Sequence, residues 1–365
     1  MEELYKQILE KKKQLEFRLT EGEILVQLIQ RAKELSSESK RLFDKLDENS
    51  KKLLAQQDLV FSIEKEFSPP RLSMATGIDG SFQVVGGLGG KWYVPLSSVT
   101  IYFEDYLSKK PTIKYFATIE TIEAIDESQA KKYASYLMLG LETDEIDKFV
   151  SKTPESSYIF LDGPIVDPPV MSENPYLDPS HYTEVRVDAI KNGIIHGHIL
   201  VGCMKRIRDR QFVYYLEKIF DTNLSIFHND LYLVGSLFKQ YRTQNNFYGP
   251  LYTEPFVQDK INTDDMYRKY YQKGIHIYSF FYQKDAFSSI LRVDIAQLDN
   301  KINKREFTDL LNALTFWILP GHGLPLPALL AHEKCTIKEG CAQVLYDEIL
   351  TKESTENPLF KLWIR

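Results

Sequence analysis

The chain has 365 residues, with 45 Lys+Arg against 51 Asp+Glu and a formal net charge of −6. Hydrophobic residues make up 43% and aromatics 13%, which excludes a wholly disordered chain and fits one large domain or two ordinary ones. The negative total argues against a protein that coats nucleic acid non-specifically, though not against one local basic face.

The opening stretch, Met1 to Leu19, carries charges throughout and no apolar segment, so it does not read as a secretory signal. No run approaches the ~18 apolar residues of a membrane span, and a cytoplasmic protein with no membrane contact is expected. Residues 1–66 form a candidate arm. They hold no Pro and one Gly, with Leu4, Ile8, Leu15, Leu19, Leu25, Leu28, Ile29, Ala32, Leu35, Leu42, Leu46 and Leu53 at helical spacing. Gly22 and Ser36-Ser37-Glu38-Ser39 read as breaks, which predicts two or three amphipathic helices in a hairpin or coiled coil. Such a stripe needs cover from a second copy, a partner or the protein's own body. Ser68-Pro69-Pro70 closes the arm, because paired prolines cannot continue a helix.

The character then turns to β. Strands are predicted around Met74–Ser81, Phe82–Val85, Lys91–Val94, Ser98–Phe103 and Lys114–Ile119. A helix is expected over about 127–150, and a short apolar strand, Ser157–Leu161, ends in Asp162-Gly163-Pro164. Strands, a helix, then a buried strand predict a mixed sheet covered by helices. Residues 192–204 read as one strand ending at Lys205, followed by a polar, Tyr-rich region to about 274. Ile275–Phe281 and Ser288–Asp294 suggest a hairpin, and helices are expected over 304–317, 327–337 and 338–351.

The chemistry is carried by two aspartates, each followed by glycine and each read as ending a strand: Ile78-Asp79-Gly80-Ser81 and Leu161-Asp162-Gly163-Pro164. Ligands gather at strand ends in open sheets, and glycine lets a backbone or a metal approach. Two such Asp with an acid from the intervening helix make a hard-oxygen site suited to Mg²⁺ or Mn²⁺. Two ions in such a site can clamp the oxygens of an in-line phosphoryl transfer. The bland alternative is that Asp-Gly only marks turns. The helix offers Glu142, Asp144 and Glu145; Glu142 and Glu145 share a face, and Glu142 directly follows an apolar run. His332 falls early in a C-terminal apolar helix, where a structural role and a ligand or acid–base role are both open. His322, between two glycines, has no assignable task. Cys203, Cys335 and Cys341 match no zinc or disulfide pattern and read as idle or buried thiols.

Taken in order, the helical arm, GIDGS, a helix carrying a Leu-Glu pair, LDGP, a strand ending in VGxxK and the late PLPxLLAH resemble the NurA nuclease family, over about residues 75–345. The resemblance implies an α/β, RNase H-like mixed sheet flanked by helices over residues 71–365, beside an N-terminal helical or coiled-coil arm that serves dimer or partner contacts. It implies Mn²⁺ (or Mg²⁺), one or two ions, 5′-to-3′ exonuclease and single-strand endonuclease activity on DNA ends, and a homodimer. It also implies a HerA-type hexameric ATPase that translocates DNA. Residue by residue it places metal ligands and catalytic groups on Asp79, Glu142 (or Glu145), Asp162 and His332. Lys205 falls on a phosphate contact, and Arg292 on a recurring position read as substrate-binding. Lys205 also opens the densest basic run near a motif, Lys205-Arg206-Ile207-Arg208-Asp209-Arg210. Two rivals stand beside this reading: a non-catalytic nucleic-acid-binding scaffold that recruits an ATPase, and an RNase H-like nuclease acting on RNA or hybrids.

Overall fold

The computed structural model describes residues 21–56, 58–63, 69–87, 90–166, 179–258 and 265–356. Among these, eleven strands form one mixed sheet. Its centre is three strands: β2 (Ala75–Phe82) runs parallel to β6 (Tyr158–Leu161), which runs parallel to β7 (Ile199–Met204). On one side β2 meets β4 (Lys91–Phe103) antiparallel, and β4 in turn carries the short β3 (Val85–Gly86) and the long β5 (Thr112–Glu123). On the other side β7 meets β11 (Leu291–Gln297). The hairpin β11–β10 (His276–Gln283) then leads to β8 (Leu251–Thr253), β1 (Val60–Ser62) and β9 (Phe256–Val257).

The central strands are buried on both faces, so they read as apolar runs, and alternate residues feed two cores. Ala75, Tyr158, Phe160 and Val201 pack against Leu310 and Leu314 of α7 (Lys304–Trp317) and Ala328 and Ala331 of α8 (Leu326–Cys335). Ile78, Ile159, Leu161 and Leu200 pack against Ile146 and Phe149 of α2 (Glu127–Lys152) and Val187 and Ile190 of α3 (Pro179–Ile195). The sheet is sandwiched between helices, as expected. Asp126 caps α2 by accepting from the Gln129 N–H, fixing where that helix starts.

Several expectations are corrected. The break at Ser36–Ser39 is absent: α1 (Gly22–Gln56) runs unbroken through it, because serine costs a helix only about 0.5 kcal/mol relative to alanine and no Gly or Pro interrupts. Residues 1–20 of the arm lie outside the described residues. The far half of α1 lies on the body, with Leu46 and Leu53 packed among Leu233, Leu237 and Phe238 of α5 (Asp230–Asn245), and Lys239 bonded to Asp47. The strand expected over 192–204 is shorter. Residues 192–195 finish α3, Gly197 at φ 81° turns the chain, and β7 begins at Ile199. The region left irregular contains α4 (Gln211–Phe220), α5 and α6 (Asp265–Gln272), and the chain's last described helix is α9 (Glu339–Glu356). Among the described residues no helix is long and apolar enough to cross a membrane.

Candidate metal centre

Two strands and one helix build the site. Asp79 does not end its strand, contrary to expectation. β2 continues to Phe82 because β4 keeps pairing with it, whereas the parallel pairing with β6 stops at Ile78↔Leu161. Asp79 and Asp162 are therefore the next residues on adjacent strands, side by side where β6 leaves the sheet. α8 is brought down onto this point by Gly77. A Cβ there would lie 2.1 Å from the Pro327 carbonyl carbon, so only glycine admits the helix. One turn further along α8, His332 places Nδ1 2.9 Å from Asp79 Oδ2 and 2.9 Å from Asp162 Oδ2. One ligand atom from each of the three lies within 4.8 Å of the others.

Glu142 approaches from the opposite face of β2. Its Oε1 accepts from the Gly80 N–H at 3.1 Å, and that same N–H also donates to Asp79 Oδ1 at 2.9 Å. Gly80 makes room for this: a Cβ would meet Met138 Cγ at 2.7 Å and Glu142 Oε1 at 3.1 Å. Glu145 turns away, accepting from Thr100 Oγ1 at 3.1 Å and Lys148 Nζ at 3.0 Å, so of the two acids only Glu142 is brought beside Asp79. Lys205, one residue beyond β7, donates to Asp162 Oδ2 at 2.8 Å.

Electrostatics follow from burial. Asp79 is 5% exposed, and burial, then the charge of Asp162, pushes it up to about 7 against the Cys335 thiol, the Gly80 N–H and Lys205. Burial pushes Glu142 up to about 8, outweighing the pull of Arg186. These carboxylates are crowded beyond what the protein's own cations neutralise. Two carboxylate oxygens and an imidazole nitrogen on one point form the donor set that Mn²⁺ or Mg²⁺ takes, so the residues present fit a hard divalent cation.

Two contributors escaped the sequence reading. Cys335, read as an idle thiol, donates from Sγ to Asp79 Oδ2 at 3.1 Å; its i+3 spacing from His332 on one helix face was the available signal. Arg186, 1% exposed, donates through Nε to the Ile165 carbonyl at 3.0 Å and through Nη2 to that of Pro164 at 3.2 Å. Its Nη1 lies 3.7 Å from Glu142 Oε2. It thus ties the loop after Asp162 to Glu142, and no motif marked it. Arg292 goes elsewhere than expected: at 1% exposure, its guanidinium is taken up by Asp294, Asp209 and Gln211. In this arrangement it is an internal ion-pair partner. His322 is exposed in the loop before α8.

Fold and site together define an RNase H-like α/β protein with a carboxylate–histidine cluster where its parallel strands part. The family model described as the NurA domain matches residues 74–337, and the chain belongs to the NurA family. Among solved structures it is similar to the NurA nuclease from Sulfolobus solfataricus, at 12% identity and a TM-score of 0.64, covering 92% of this chain and 98% of that one. It is also similar to a NurA bound to dAMP and manganese, at 13% identity and a TM-score of 0.50, covering 86% and 94%. No curated protein matches the chain.

Proposed function

We propose that the chain is a metal-dependent deoxyribonuclease, a 5′-to-3′ exonuclease and single-strand endonuclease that processes DNA ends as a homodimer with a HerA-type hexameric ATPase. The observation that carries the proposal is the convergence of Asp79, Asp162 and His332 on one point beside Glu142 and Lys205. The manganese and dAMP held by a related structure support the choice of cation and of a deoxynucleotide product.

Asp79, Asp162 and His332 would hold one or two Mn²⁺ or Mg²⁺ ions, and Glu142, which lies outside that cluster on the other face of β2, would be the further acid that the family resemblance implies. A divalent cation there supplies a Lewis acid that lowers the pKa of water and offsets charge on the phosphate oxygens. The protein's own part is positioning. Arg186 and the Gly80 N–H fix the Glu142 carboxylate, the Cys335 thiol and Gly80 N–H fix Asp79, and Lys205 offers an ammonium to a phosphate oxygen. His332, 47% exposed at its side chain, is also placed to take or give a proton. Arg206 and Arg208, both exposed just past Lys205, extend the cationic face along the nucleic-acid backbone.

The test incubates the purified chain with end-labelled single- and double-stranded DNA and Mn²⁺, alone and with its ATPase, beside Asp79→Ala and Asp162→Ala. Mn²⁺-dependent cleavage lost in both variants is expected. Cleavage surviving in both sinks the site assignment, and no cleavage by the wild type, ATPase present, leaves a scaffold. Substituting an RNA or hybrid substrate tests the choice of DNA.

A further inference from the structure

β5 is the edge of the sheet: among the described residues it pairs with β4 alone, along the whole of Thr112–Glu123. An edge strand presents a row of outward N–H and C=O groups, which soluble proteins blunt with proline, bulges, short length or charged side chains. Of these β5 has only charges, Lys114, Glu120 and Glu123. It is twelve residues of TIKYFATIETIE, and Ile122 is its only buried residue. Tyr115 is 64% exposed, Phe116 42% and Ile119 41%.

We propose that β5 pairs antiparallel with β5 of a second copy, about a two-fold axis through Ala117, joining two sheets into one. A two-fold axis perpendicular to a sheet sets residues of the same face opposite each other, so the axis must pass through a residue. Through Ala117, Lys114 faces Glu120 of the second copy, Tyr115 faces Ile119, and Phe116 faces Thr118, each pair occurring twice. Shifting the axis to Phe116 sets Lys114 opposite Thr118, and shifting it to Thr118 sets Lys114 opposite Ile122. Only the Ala117 register matches charge with charge and aromatic with β-branched side chain, the combinations that stabilise neighbouring strands. Lys114 and Glu120 are both exposed, ready to meet such a partner. The pairing would cover the apolar side chains that β5 otherwise presents to water. It uses none of the metal-site chemistry, and it deepens the homodimer of the proposed function by naming its surface.

The experiment is light-scattering or sedimentation mass of the full chain at micromolar concentration. The variants are Lys114→Glu, Glu120→Lys, the double swap, and Tyr115→Lys with Ile119→Lys, each checked for fold by circular dichroism. The wild type is expected to be a dimer. Each charge reversal, placing like charges opposite twice, is expected to weaken dimerisation about tenfold. The double swap should return it to the wild-type value, and the Tyr115/Ile119 pair should give a monomer. A monomeric wild type overturns both the homodimer and this surface. A dimer that the Tyr115/Ile119 pair and the charge reversals leave intact overturns the surface alone. Loss in the reversals without rescue by the swap overturns the register and points to a different chain on this edge.

Discussion

Two buried clusters of acids, one at β11 and one at β2 and the end of β6, are held in different ways. Around Arg292, the carboxylates of Asp294 (0% exposed) and Asp209 are matched by one guanidinium, bonded through all three nitrogens, and the arginine's own pKa is raised by those acids in spite of its burial. Around Asp79 the acids outnumber the cations within reach, and burial and repulsion leave Asp79 near 7 and Glu142 near 8. In the first, a buried guanidinium meets the acids directly, although Asp230 beside Asp209 is also pushed up to about 7 by burial; in the second, an added cation is what the proposed function requires. A carboxylate cluster that raises its own pKa values costs the fold stability, and that cost is a reason to look for a ligand.

The contrast can be broken most forcefully by removing one member from each cluster. Asp162→Ala is expected to lower cleavage by about three orders of magnitude or more while the protein stays folded. Arg292→Ala should do the reverse, leaving Asp294 buried without its partner and costing roughly 3–5 kcal/mol of stability in urea titration. If Arg292→Ala is as stable as wild type, or if Asp162→Ala unfolds the chain, the division between the clusters is wrong.

A smaller effect lies in the pH dependence of stability. Asp79 and Glu142 have folded-state pKa values above those of ordinary carboxylates, so between about pH 4 and 8 the folded protein holds protons that the unfolded chain has released. Their contribution is complete below the ordinary carboxylate range and is lost as pH rises toward 8. The melting temperature of metal-free protein should therefore gain on acidification from pH 8 to 6 relative to an Asp79→Asn, Glu142→Gln variant. The increase produced by Mn²⁺ should grow over the same interval as pH rises, since the cation replaces those protons. Equal pH profiles for the two proteins would remove the crowding argument.

The smallest effect concerns Cys335. Cys335→Ala removes the S–H donor to Asp79 Oδ2 and should weaken Mn²⁺ binding by about three- to tenfold, whereas Cys335→Ser, which keeps a donor, should recover most of it. Identical Mn²⁺ affinity in the Ala variant would reduce the thiol to packing.

Legibility in the sequence tracked how local the determinant was. The layered α/β fold, helix α2 and the β10–β11 hairpin were readable because apolar periodicity and turn residues set them within a few positions. Asp79, Asp162, Glu142 and His332 could be picked out because each sits in a short motif, although only the paired strand register reveals that Asp79 lies mid-strand. What escaped depended on partners distant in sequence. Arg186 meets groups 21 to 44 residues away, and Cys335 meets Asp79 across |i−j| = 256. Arg292, placed at the substrate by the family resemblance, had a local sign of its ion pair in Asp294, two positions on along the same strand, whereas Asp209 lies 83 residues away. The unbroken α1 shows the converse error, where a serine-rich stretch suggested a break that tertiary packing and mild propensity did not require.

The central claim is that Asp79, Asp162 and His332 form one cation site. Calorimetric titration of Mn²⁺ into the metal-free chain, beside Asp79→Ala, Asp162→Ala and His332→Ala, tests it without relying on cleavage. Saturable binding by the wild type that falls at least tenfold in each variant is the expected result. Wild-type affinity retained in all three would contradict the assignment.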